Sequence, residues 1–185
     1  MGTLSEAKVL GGIGSILLIL SLVPNVGPML GIIGFILLLI AIKYISDIVG
    51  DEKIFKDMLI AVILAIIGVF AGIIIGGAAI FTFISRGLLT GGIAPPTGFL
   101  LTLLRTFLIP LIIAFIVIWI FMIISAVFFR RSLDSIASKL NIGMFSTAGL
   151  IYLIGAIIPV VGFIIMIVAA ILLAVAFFSI PEKLP

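Results

Sequence analysis

LVPNVGPMLG, residues Leu22–Gly31, and IIPVVGFIIM, residues Ile157–Met166, each break a long apolar run with a proline followed three residues later by a glycine. Neither break carries a charge, and both are too short for a water-exposed loop. Proline removes a backbone donor and stops a helix, so each stretch reads as a tight turn between antiparallel helices. Pro24, Gly27, Pro159 and Gly162 are the expected hairpin turns. They are expected at the outer edge of a bilayer, because backbone groups freed by a break need water or protein partners.

Composition fixes the solvent around those hairpins. Of 185 residues, 65% are hydrophobic and 9% charged, whereas soluble domains carry about 25% charged residues. The apolar runs lack the polar stripe of a soluble amphipathic helix, and several reach the roughly 20 residues that span hydrocarbon. The first run follows Glu6 and Lys8 and leads into Pro24–Gly27 without a small-residue cleavage site, so it reads as mature structure and not as a signal peptide. Cysteine and histidine are absent, which excludes disulfides, thiolate nucleophiles and histidine- or thiolate-bound metals.

Working outward from the hairpins, the sequence predicts one all-α, polytopic membrane helix bundle with spans over about 7–23, 28–46, 57–84, 99–129, 143–158 and 162–180. Pro110 is expected to kink the fourth span or split off its first part, which would put Arg105 near an interface. Ser46–Lys56 and Arg130–Asn141 are polar and charged and read as connections in water or at headgroups. Arg86–Gly98 reads as a glycine- and proline-rich loop on the opposite side.

An offset of 135 places Pro24 on Pro159, Gly27 on Gly162 and Gly14 on Gly149; an offset of 87 places Asp47 on Asp134 and Gly68 on Gly155. Both relate segments of the same direction, the pattern of a parallel internal repeat. Six spans put Lys8, Lys43, Lys53, Lys56, Arg130, Arg131, Lys139 and Lys183 on one face and only Arg86 and Arg105 on the other. Positive charge marks the cytoplasmic side, so both termini are expected there, in the cell membrane. The basic balance thus reflects topology, with no soluble basic domain to bind nucleic acid.

Chemistry finds little purchase. The seven acidic residues, Glu6, Asp47, Asp51, Glu52, Asp57, Asp134 and Glu182, all read as lying in connections or at helix ends, so no carboxylate pair is expected inside the bundle. No nucleophile elbow, zinc-binding HExxH or phosphate loop occurs, and the GGIG at Gly11–Gly14 has no strand before it. No catalytic residue, cofactor or metal is expected. Asp51, Glu52 and Asp57 could suggest a divalent-cation site, but Lys53 and Lys56 between them favour a solvated, helix-starting segment. Arg86 and Arg105 are candidate lipid-phosphate contacts, and the lone Trp119 reads as a packing residue.

The stretch AKVLGGIGSILLIL followed by PNVGPMLGIIGFILLLIAIKYISDIVGDEKIFKDMLI resembles an archaeal family of small multi-pass membrane proteins, domain of unknown function 996. The resemblance covers the first third of the chain and, through the second hairpin, the last quarter more loosely. It implies an archaeal integral membrane protein and brings no catalytic residues with it.

The expected role is therefore an accessory, scaffolding or self-associating membrane component acting by helix packing. The alternative is a small uncoupled channel or transporter, for which Ser15, Ser21, Thr82, Ser125, Ser146, Thr147 and Tyr152 could line a weakly polar path. Expected partners are membrane lipids and either a homo-oligomer or a larger membrane complex. Gly68, Gly72 and Gly76 recur every fourth residue and form a groove for close helix approach. That groove could take a helix of the same chain or one from a second copy.

Overall fold

The structure, a computed structural model, describes residues 2–89, 101, 103–159 and 161–181, without the side chains at 28 and 86–89. Among the described residues the long α-helices are α1 Leu4–Leu20, α2 Gly27–Val49, α3 Glu52–Leu89, α4 Ile109–Leu140, α5 Gly143–Ile157 and α6 Gly162–Phe178. The fold is all-α, with no strand among the described residues. Met29–Val49, Glu52–Ser85 and Leu104–Leu140 are long and apolar enough to cross a membrane. By contrast α1, α5 and α6 have only 17, 15 and 17 residues.

Local chemistry explains the helix ends. Thr3 and Glu6 form a reciprocal capping box: the Thr3 Oγ1 accepts from the Glu6 N–H at 3.1 Å, and the Glu6 carboxylate accepts from the Thr3 N–H at 2.8 Å. Two orphan donors are thereby satisfied, so α1 starts at Leu4, ahead of the expected position. At Gly50 (φ 68°) and Asn141 (φ 55°) the backbone turns left-handed, in residues that tolerate it, and this ends α2 and α4.

Two expected connections are largely helical. The expected loop Ser46–Lys56 shrinks to Gly50 and Asp51, because α2 runs to Val49 and α3 begins at Glu52. The expected loop Arg130–Asn141 is the last part of α4. There Ser132, Leu133, Ile136, Ala137 and Leu140 are buried at helical spacing, while Ser138 and Lys139 face outward. Such an amphipathic extension is too polar to read as a membrane span, yet its apolar stripe keeps it helical. Just ahead of Pro110, Leu104–Leu108 form a π-helical turn, with the Ile109 N–H donating to the Leu104 carbonyl. The wider turn absorbs the register change where proline offers no donor of its own.

The chain divides into two compact units. One comprises Met1–Val62 with Ile123–Pro185, the other Ile63–Met122. In the first, α1 packs on α2 and α6, and α5 packs on α6. Leu38, Ile42, Ile45, Met58, Leu133, Ile136, Phe145 and Phe177 form its core, with the Phe145 and Phe177 rings meeting edge-on at 5.0 Å. Among the described residues, the second unit buries little beyond Gly68, Gly72, Gly76, Ala79 and Ala114, and turns large side chains such as Phe81, 73% exposed, outward.

Part of the internal offset has a structural counterpart. The 87-residue shift carries Lys43 and Asp47 onto Arg130 and Asp134, and both pairs approach, at 2.6 Å and 3.4 Å. The 135-residue shift matches the turns but not their packing. Gly14 lies against Gly34 of the neighbouring helix, whereas Gly149 lies against Arg130 of α4.

Candidate functional site

Two kinds of feature were legible candidates: the glycine contacts, and the polar side chains of the apolar helices. In the first hairpin a Cβ on Gly14 would come 2.7 Å from the Gly34 carbonyl oxygen, and one on Gly34 would come 2.6 Å from that of Gly14. The two helix backbones therefore touch, which any side chain would prevent. Gly27 sits directly against the Ser21 carbonyl, and Gly162 against the Gly155 carbonyl. Both hairpin glycines thus lie where a tight chain return leaves no room for a Cβ. Pro24 and Pro159 precede them in the turns and are exposed.

In α3 the three spaced glycines behave differently from one another. A Cβ on Gly68 would come 2.5 Å from the Phe121 Cβ, and one on Gly72 would collide with the Ile118 side chain. Gly76 has space, its nearest neighbours Leu111 and Ala114 lying 3.6 and 3.7 Å from a Cβ built there. Thus α4 of the same chain fills the groove at Gly68 and Gly72. The Arg86 side chain lies outside the described residues; Arg105 lies in the π turn with its side chain exposed.

Of the hydroxyls that could line a polar path, the six of serine and threonine have hydrogen-bond partners. Ser15 donates to the Gly11 carbonyl at 2.8 Å, Ser21 to Leu18 at 2.6 Å, Thr82 to Ala78 at 2.7 Å and Thr147 to Gly143 at 3.2 Å. Between helices, Ser125 donates to the Ala61 carbonyl at 2.7 Å and Ser132 to the Ile54 carbonyl at 2.8 Å. Ser146 donates to an Asp134 carboxylate oxygen. The Tyr152 ring meets that of Phe129 at 4.7 Å between centroids, tilted by 47°.

At the charged end of the first unit, the acidic residues hold separate tasks. Asp51 accepts from the Lys53 N–H at 3.1 Å, in the manner of a helix cap, and approaches Lys139 at 3.8 Å. Glu52 accepts from the Lys56 ammonium at 2.8 Å. That hydrogen bond, with the attraction of the opposite charge, lowers the Glu52 pKa and raises the Lys56 pKa. Both side chains are well exposed, so the pair contributes little to stability. Lys8 donates to the Ile180 carbonyl at 3.2 Å. Arg130 Nε lies 3.4 Å from Asp134 Oδ2 but is not aligned for a hydrogen bond.

Asp57 corrects the expectation that every acid sits in a connection or at a helix end. Because α3 begins at Glu52, Asp57 occupies its second turn, 7% exposed, and its Oδ2 has no hydrogen-bond partner in the structure. The helical spacing of Ile54, Asp57, Met58 and Ala61, all buried, could have revealed this from sequence alone. Among the described residues, no three acidic side chains lie together as metal ligands would.

Comparison with known proteins matches the sequence to a family and to a relative. Residues 30–171 match the family described as protein of unknown function (DUF996). The match begins after the first helix and runs through the middle of the chain, beyond the stretches that carry the resemblance. An uncharacterized protein of Methanocaldococcus jannaschii is 36% identical over 183 residues, covering 98% of this chain and 95% of that protein. No solved structure matches. The chain therefore belongs to the DUF996 family.

Proposed function

We propose that this protein is a multi-pass component of the cell membrane that works by helix packing, as an accessory, scaffolding or self-associating element, and performs no chemistry of its own. One observation supports it above others: of the candidate path residues, the hydroxyls of Ser15, Ser21, Thr82, Ser125, Ser146 and Thr147 are hydrogen-bonded to backbone carbonyls or to Asp134. A conducting or carrying path needs polar groups free to replace the hydration of what passes. Here Ser125, Ser132 and Ser146 join helices, and Ser15, Ser21, Thr82 and Thr147 bond back to carbonyls of their own helix. The asymmetry of lysine and arginine supports a cytoplasmic location for both termini, and Arg86 and Arg105 suit lipid phosphates on the other side.

Two experiments test this reading. Purification of the untagged protein from its native membrane is expected to bring a stable partner or a defined homo-oligomer with it; a lone monomer in mild detergent would contradict the reading. Reconstituted vesicles are expected to show no flux of monovalent ions or small neutral solutes above protein-free vesicles. Selective flux would instead establish the uncoupled channel or transporter. Orientation is tested in the naturally cysteine-free chain. Ser138→Cys should resist an impermeant thiol reagent in intact cells, and Thr90→Cys, at a position outside the described residues, should react.

A further inference from the structure

Most charges at the charged end of the first unit are matched within the chain. Lys43, Lys56, Arg130 and Lys139 each approach a carboxylate, and Lys8 donates to the Ile180 carbonyl. Among the described residues, the side chains of Lys53 and Arg131 form no ion pair, and both residues are exposed. Asp57 is the opposite case: a carboxylate in no ion pair, 7% exposed, with an Oδ2 that has no hydrogen-bond partner. Taking a carboxylate out of water without a partner is costly, so Asp57 calls for a donor that its own chain does not provide.

These three residues share one flank of the α3–α4 pair. Ser132 donates to the Ile54 carbonyl and Ser125 to the Ala61 carbonyl, so Ile54 and Ala61 mark the seam where the two antiparallel helices meet. On α3, Phe55 and Met58 turn to one side of the seam, toward Lys43 and the core, which puts Lys53 and Asp57 on the other. On α4, Leu133 and Ile136 turn to the same core, and Phe129 and Arg130 face Tyr152 and Gly149 of α5. Helical spacing then puts Phe128 and Arg131 on the opposite flank. The two hydrogen bonds also set the level: Phe128 and Phe129 stand opposite Asp57, and Arg131 stands opposite the stretch between Lys53 and Asp57. The Arg131 guanidinium lies over the Phe128 ring, 5.7 Å from its centroid. Further from the charged end, Ile60 and Ile124 are 39% and 41% exposed on the same flank.

We infer that this flank of α3 and α4 is a docking site for a phospholipid whose headgroup joins a phosphate to a primary ammonium, as phosphatidylethanolamine does. The inference rests on the membrane reading above, which brings the charged end to a headgroup surface. Lys53 and Arg131 hold the phosphate by charge-assisted hydrogen bonds, and the ammonium donates to Asp57, supplying the partner its carboxylate lacks. The acyl chains run along Ile60 and Ile124. Charge complementarity selects this occupant: two unmatched cations beside one unmatched carboxylate suit a headgroup carrying both signs. A glycerol headgroup leaves Asp57 without a cation, and a choline headgroup has no N–H to donate.

The test is native mass spectrometry of the full chain titrated with phosphatidylethanolamine, phosphatidylcholine or phosphatidylglycerol of identical acyl chains. Phosphatidylethanolamine should bind severalfold more tightly than either of the others. Asp57→Asn should abolish its advantage over phosphatidylglycerol, and Lys53→Gln, at an exposed position where folding is undisturbed, should weaken it severalfold. Lys56→Gln, whose lysine is already paired with Glu52, should leave the preference unchanged. Equal binding of the three lipids, a preference for phosphatidylglycerol, or an ethanolamine preference that survives both Asp57→Asn and Lys53→Gln would overturn the inference. Flotation with phosphatidylcholine vesicles separates it from the reading beneath it. A chain that floats with the vesicles but shows no headgroup preference sinks this inference alone, and a chain that does not float sinks the membrane reading with it.

Discussion

The hairpins of the first unit and the glycine groove of the second use one residue type for different contacts. At Gly14 and Gly34, and again at Gly155 and Gly162, backbone meets backbone. At Gly68 and Gly72, a glycine receives a side chain, from Phe121 and Ile118. Backbone, like the Cβ of Phe121 at Gly68, cannot retreat without moving a whole helix, whereas the Ile118 side chain at Gly72 can change rotamer. Glycine spacing in an apolar helix therefore marks closeness, and only the partner atom tells how strictly the position is fixed.

The largest expected effect follows at the stricter sites. Gly162→Ala drives a methyl group into the Gly155 carbonyl, and overpacking of this kind costs about 1–3 kcal/mol or more. Combined replacement of Pro159 and Gly162 by alanine should lower the melting temperature further and disturb the last two helices. An unchanged melting temperature and topology would break the distinction between turn and groove.

Helix-joining hydroxyls come next. Ser125→Ala removes the donor to the Ala61 carbonyl, which should cost about 0.6 kcal/mol, the average for such bonds in lipid. Thermal unfolding in detergent measures it, and a gain in stability would argue against the interhelical role. Smaller still is Gly76→Ala, where a Cβ meets only ordinary contacts. A change within about 0.5 kcal/mol is expected, and a loss as large as that at Gly162 would show that all three groove glycines are equally strict.

The smallest effect concerns the exposed pair Glu52 and Lys56. The lowered Glu52 pKa means its contribution is present above the ordinary carboxylate range and lost as pH falls through the folded value. Glu52→Gln should leave the melting temperature near neutral pH almost unchanged. A substantial loss there would mean that the charged end of the first unit contributes more to stability than its exposure suggests.

What the sequence disclosed and what it hid divide along physical lines. Proline followed by glycine marked both turns, because a missing donor and a missing Cβ act locally. Pro110 marked a break for the same reason, although a π turn as its form depends on how the flanking helices pack. Hydropathy alone misread Arg130–Leu140, where charge outweighed a buried stripe from Ser132 to Leu140. Asp57 was misplaced with it, since its burial follows from where α3 starts and from the apolar residues around it. Neither partner of the α3 groove could be read from its glycines, because spacing describes a face and not what covers it.

One measurement addresses helix packing within the chain most directly. Gly72→Leu places a large side chain where Ile118 already sits. Size-exclusion chromatography in mild detergent, combined with thermal unfolding, should show loss of the folded, monodisperse protein together with a lower melting temperature. A folded monomer of native melting temperature, released from a larger assembly, would contradict the account and assign the groove to a contact between copies.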